Sequence, residues 1–275
     1  MAKTLRFISK GAGVLIICMI SSVVTFILHD LTTPADFEIE GELSLLAQNI
    51  GAKSATILWG FIAFLLISII YLAYEKNLSG GRTKRAFLFG GLTGATWLIE
   101  MMEMEQSLTN FLMGLVDGAM VILVYMLMAF LISPKRESCK KPIKIGKHEV
   151  LEIIIIAFIF ATYRLLFGTF LGKYFDGIGD YIIIPIYSTL MGFLWIFLKN
   201  MAGGGTHISR TVKYSVIIWG VPSSIFMYFM AFCFANMLIG MTVRNIMDIF
   251  VMFLSTWLCL KMSNKISRSK YLPGG

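Results

Sequence analysis

The stretch Tyr214–Leu260, YSVIIWGVPSSIFMYFMAFCFANMLIGMTVRNIMDIFVMFLSTWLCL, decides how the chain must be read. Its first thirty residues, through Val243, carry no formal charge. One helix of that length would extend about 45 Å at roughly 1.5 Å per residue. The hydrocarbon core of a bilayer is about 30 Å thick and takes roughly 20 residues. The 47 residues must therefore fold back once, and the turn is expected near Ala235-Asn236, between spans at 214–234 and 238–260.

Six runs of the same character precede these two, at 11–28, 54–74, 86–103, 109–132, 150–171 and 181–198. The composition agrees. Of 275 residues, 57% are hydrophobic and only 15% charged, with a mean hydropathy of +0.78. A soluble domain would carry about 25% charged residues. That deficit excludes an ordinary cytosolic enzyme and intrinsic disorder alike. The sequence predicts an all-α membrane protein with eight transmembrane helices. The first run follows Lys3, Arg6 and Lys10 as a secretory signal would. The residues after it, His29-Asp30-Leu31-Thr32-Thr33-Pro34, hold no small-residue cleavage site, so it is read as an uncleaved span.

Charge sets the orientation. The net charge is +8, and 20 of the 24 Lys and Arg fall in the segments 1–10, 75–85, 133–148, 199–213 and 261–275. The outer segments hold only Lys53 and Lys173, but nine acids, namely Asp30, Asp36, Glu38, Glu40, Glu42, Glu103, Glu105, Asp176 and Asp180. Lys and Arg resist translocation, so the basic side is cytoplasmic and both termini lie there. The excess of base is read as topology, with anionic-lipid contact as a lesser alternative; no nucleic-acid partner is implied. A bias this strong, with loops this compact, fits the plasma membrane of a bacterium.

The basic segment 134–149 divides the chain into two four-helix halves, 1–133 and 150–275. Each half has a span, an acidic outer loop and a second span, then a Gly-rich basic loop leading to a helical hairpin. Sliding the chain by 126 residues superimposes the two hairpins without a gap: Gly94 meets Gly220, Asn110 meets Asn236 and Gly114 meets Gly240. Eight identities fall within the 33 positions 94–126. An even number of spans per half makes this a parallel repeat, as in some transporters.

Catalytic and cofactor signatures are missing. There is no HExxH, GxSxG, GxxxxGK[ST] or GxGxxG. Cys18, Cys233 and Cys259 sit in apolar runs and Cys139 in a basic loop, without metal or disulfide spacing. His29, His148 and His207 are far apart in sequence and none is central to an apolar run. No metal and no cofactor is expected.

Charged residues inside apolar spans cost several kcal/mol unless paired or hydrated. Five qualify: Glu100, Asp117, Arg164, Arg244 and Asp248. Counting inward from the cytoplasmic ends places all five in one layer about 6 Å deep, in the outer half of the membrane. The functional reading is a polar site between the halves, where carboxylates exchange a proton or bind a cation and arginines hold an anionic group. The packing reading is internal pairing, with Arg244 and Asp248 bridging at i,i+4 and Glu100 and Glu103 reaching interfacial water. Asp117 and Arg164 are the better candidates, each having apolar neighbours for a full turn on both sides.

Gly90 and Gly94, and Gly114 and Gly118, are small-xxx-small pairs that allow close helix approach within one hairpin. Pro222, two residues after Gly220, should kink the seventh span, a structural kink or a gating hinge. Pro185 reads as a helix-end residue. The 18 Met and 22 Phe are chiefly filler. The outer loop 34–51 is a solvated connection or a short amphipathic lid. Three functions stay open: a small-solute or ion-coupled permease; a non-transporting accessory, assembly or immunity protein; and an intramembrane enzyme acting on lipid or peptide. A homo-oligomer or a membrane partner is compatible with each.

Overall fold

The computed structural model describes residues 2–33, 42–104, 106–134, 143–171 and 178–269, with side chains for 10–33, 42–104, 106–134, 143–167 and 181–263. Outside the described residues lie Glu105, Lys173 and Asp176, Cys139 with most of the basic midpoint segment, and the acidic part of the first outer loop, 34–41. The described chain is helical, and its one β feature is the isolated bridge between Leu43 and Phe234.

Ten α-helices follow in order: α1 Ala2–Thr32, α2 Leu45–Ile50, α3 Ala52–Tyr74, α4 Arg82–Met104, α5 Leu108–Leu127, α6 Lys147–Leu171, α7 Ile178–Leu198, α8 His207–Val212, α9 Gly220–Cys233 and α10 Met237–Ser269. Each of the eight apolar runs coincides with a helical stretch. Seven of these are long and apolar enough to cross a membrane: Lys10–Thr32, Ala52–Asn77, Leu108–Ile132, Lys147–Phe167, Tyr181–Ala202, His207–Cys233 and Met237–Ser263. The helix outside that set is α4, 23 residues long but burdened by Arg82, Lys84, Arg85, Glu100 and Glu103. The turn expected at Ala235-Asn236 is present. Asn236 ends the α9 segment with φ +62, a left-handed conformation that Asn tolerates better than most residues.

Two compact units are formed. The first joins residues 1–141 to 221–245, the second 142–220 to 246–275, so the chain passes between them within the seventh and the last apolar stretch. In the first unit, Lys10 Nζ donates to the Ile132 carbonyl and the Arg82 guanidinium lies over the Phe130 ring at 5.1 Å. The starts of α1 and α4 and the end of α5 thus share one end. The α4–α5 pair is antiparallel and touches along its length. A Cβ on Gly94 would fall 2.7 Å from the Gly118 carbonyl oxygen; one on Gly90 would meet Ile122, and one on Gly114 would meet Leu98. Only backbones without side chains approach this closely.

In the second unit, α6 and α7 meet at Gly192, where a Cβ would stand 2.8 Å from the Ile153 carbonyl oxygen. Glu152, at the start of α6, gathers its end of the unit. It accepts from Trp195 Nε1 at 2.8 Å, Lys199 Nζ at 2.9 Å and Ser263 Oγ at 2.8 Å. Between α8 and α9 the helix widens into a π turn, Lys213–Ile218. Pro222 follows four residues later and has no N–H to offer the Ile218 carbonyl. The irregularity is therefore a π turn before the proline, a shape common at functional sites and packing defects. A Cβ on Gly220 would collide with the Ser215 carbonyl oxygen, so the π turn itself demands glycine there. Pro185 is corrected: it lies inside α7, because the helix begins at Ile178 rather than near the proline.

Candidate functional site

Of the charged residues of the apolar spans, Glu100, Asp117, Arg244 and Asp248 are buried and Arg164 is half-buried, and each has a partner supplied by another helix. On α4, Glu100 is 1% exposed and takes a hydrogen bond from the Ser223 hydroxyl of the α9 segment. Glu103, one turn on, pairs with the Arg244 guanidinium. Both acids find a partner inside the first unit, where the sequence suggested interfacial water. In the second unit, Arg164 Nη2 donates to Asp248 Oδ2 at 2.8 Å. The same guanidinium lies 5.6 Å from the Phe160 ring and 5.1 Å from the Tyr187 ring. Arg244 and Asp248 thus each meet a partner from a separate helix, beyond the i,i+4 bridge expected along α10.

Asp117 is placed differently. It is 3% exposed overall, and its Oδ1 lies 2.9 Å from His29 Nε2 of α1. A carboxylate only accepts, so Nε2 carries a hydrogen and donates to it. His29 escapes a sequence reading that ends the first span at residue 28, since the helix continues to Thr32 and carries the ring inward. A histidine one turn before a loop resembles an ordinary interfacial residue, and no periodicity records a partner 88 positions away.

The His29–Asp117 pair lines a cavity of about 410 Å³ within the first unit. Thr33 and Lys53 stand at the outer ends of α1 and α3, and Ser22 and Phe64 at the floor. Eleven residues separate floor from mouth on each helix, so the cavity runs inward by about 16 Å, half of a hydrocarbon core. Its wall is mostly apolar and aromatic, with Trp59, Trp97, Phe226 and Phe229 beside methionines. Asp30 and Lys53 are exposed at the mouth.

The aromatic wall is fixed from behind. Trp59 Nε1 donates to the Ile225 carbonyl at 2.8 Å and Trp97 Nε1 to the Pro222 carbonyl at 2.9 Å. Trp59 also packs against Phe229 with ring centroids 4.8 Å apart. The segment between α1 and α3 is tied to the same α9 segment. Ser44 N donates to the Cys233 carbonyl, and Ala235 N to the Glu42 carbonyl. Of the loop predicted as a connection or lid, the described part is thus a pinned short helix, α2, capped by the Ser44 hydroxyl.

A cavity of this volume with few polar groups converging on it is the usual form of a small-ligand site. Among the described residues, no three of His, Cys, Asp and Glu cluster as metal ligands would. What the arrangement supplies is one buried carboxylate, one imidazole hydrogen-bonded to it, and an apolar chamber of drug-fragment size. The chain is a polytopic membrane protein in contact with lipid. Compared with protein-family models, with curated proteins and with solved structures, it matches none.

Proposed function

We propose that the protein is a small-solute permease of the plasma membrane, a bacterial inner membrane, and that its solute enters the cavity beside His29 and Asp117. The observation that carries this is a buried, hydrogen-bonded carboxylate lining a cavity of about 410 Å³ rather than a packed core. A histidine–carboxylate pair inside a membrane is costly and is typical of proton and substrate paths.

The reading includes eight spans with both ends cytoplasmic. Support comes from the first unit, where the start of α1 and the end of α5 meet. An even number of crossings must connect them, and α1, α3, α4 and α5 supply four. Polarity does not disqualify α4, because Glu100 and Glu103 are engaged inside the unit. It includes, too, a parallel duplication of four-helix halves at 1–133 and 150–275, resting on the register of 126 residues.

The test is stabilisation of the purified protein by a panel of cationic, neutral and anionic small solutes. A solute at about 100 times its Kd adds about 2.7 kcal/mol to folding. At least one should raise the Tm of the wild type and leave Asp117→Asn unmoved. A stoichiometric protein partner on purification, without stabilisation by any solute, would overturn the proposal and favour an accessory or assembly role. That second reading draws on the internal pairing of Glu103 with Arg244 and of Arg164 with Asp248, which leaves those charges to helix packing.

A further inference from the structure

The cavity's polar groups share a bias that specifies its ligand. Four hydroxyls line it, and each has spent its hydrogen on a backbone carbonyl: Ser22 on Ile57 at 2.6 Å, Thr25 on Ser21 at 2.7 Å, Thr33 on His29 at 2.7 Å and Thr56 on Ala52 at 3.0 Å. Both indole N–H groups are likewise committed to carbonyls. What these hydroxyls offer a guest is lone pairs, and the Asp117 carboxylate offers more of the same. The donors left are Lys53 at the mouth and, only when the ring is protonated, the second nitrogen of His29. A phosphate or carboxylate guest would meet those two groups and otherwise a wall of acceptors and aromatic rings. An organic cation would meet a carboxylate, hydroxyl oxygens and aromatic faces suited to cation–π contact.

Resting on the proposed permease reading, we infer that the cavity takes a small lipophilic organic cation, an amine or ammonium on an apolar body, in exchange for a proton on His29. The charge count explains the exchange. Among the described residues, the titratable and charged groups on the cavity are Asp30 on α1, Lys53 on α3 and Asp117 on α5, together with His29 itself. Glu100 and Glu103 on α4 are held by Ser223 and Arg244. With His29 neutral, two acids face one lysine and the cavity is negative; with His29 protonated it is neutral. Cation and proton therefore compete for the same pair. Nε2 keeps its hydrogen on Asp117, so the N–H bond that breaks on cation entry is at Nδ1, and its proton passes to water in the cavity.

Three probes of similar size test the inference on the purified full chain, read by tryptophan fluorescence and by Tm. They are phenyltrimethylammonium, benzyl alcohol and benzenesulfonate. The cation should bind at least about tenfold more tightly than the other two, and more tightly near pH 8 than near pH 5. Asp117→Asn should remove the preference for the cation. His29→Gln should remove the pH dependence, an effect that a merely structural role for the ring would not produce. Tighter binding of benzyl alcohol or benzenesulfonate would overturn the inference while leaving a solute cavity in place. Binding of none of the three, without stabilisation by any other solute, would overturn the permease reading with it.

Discussion

The two units each bury an aspartate against a basic side chain, and they use it in opposite ways. In the second unit Asp248 receives Arg164, whose guanidinium is also flanked by the rings of Phe160 and Tyr187. Opposite charges meet there, and two rings flank the guanidinium. In the first unit Asp117 meets a histidine, which is neutral or charged according to pH, and the pair borders a chamber of about 410 Å³. A permanently charged partner within packed rings suits a strut. A titratable partner beside open volume suits a site. Burial alone does not separate the two, since Asp117 and Asp248 are each 3% exposed; the nature of the partner and the neighbouring space do.

That contrast gives an ordered pair of expectations. The largest effect belongs to Arg164→Leu, which leaves Asp248 buried without its cation and should cost about 3–5 kcal/mol. Most of the loss should return in the double variant Arg164→Leu/Asp248→Leu, because replacing a buried ion pair by apolar groups is close to neutral. Thermal unfolding in detergent reads both. A small loss in the single variant would mean that water already reaches this pair, and the contrast between the units would fail. A smaller effect is expected for Asp117→Asn. The carboxamide oxygen still accepts from His29 Nε2, so the loss should stay near 1 kcal/mol, while solute-dependent stabilisation disappears. A loss as large as that at Arg164 would make Asp117 a second strut.

Much of the fold is legible in the sequence. Length and apolarity place all eight helical stretches, and the uncharged run after Tyr214 locates the turn that Asn236 makes in the left-handed region. Glycine spacing points to the α4–α5 contact because only a missing side chain allows it. The site is half legible. A charge in an apolar run identifies Asp117 and Arg164, since each must be paired or hydrated. The partners are not encoded locally: His29 and Glu103 sit near helix ends, where a polar residue ordinarily reaches water, and their inward direction depends on how far each helix extends. Glu152 escapes for the same reason, being one turn inside a span that begins beside a basic loop. The π turn at Lys213–Ile218 comes from Gly220 and Pro222 acting together, which no single-residue rule captures. The cavity itself is a property of packing, absent from any pattern along the chain.

The claim that Asp117 faces an accessible chamber while Asp248 is held in packing is tested most directly by substituted-cysteine labelling in intact cells. The background would lack the native cysteines, and a small, membrane-impermeant thiol reagent would be added from outside. Asp117→Cys should be labelled, while Asp248→Cys stays unreactive. Equal labelling of the two positions, or an inert cysteine at 117, would contradict the account.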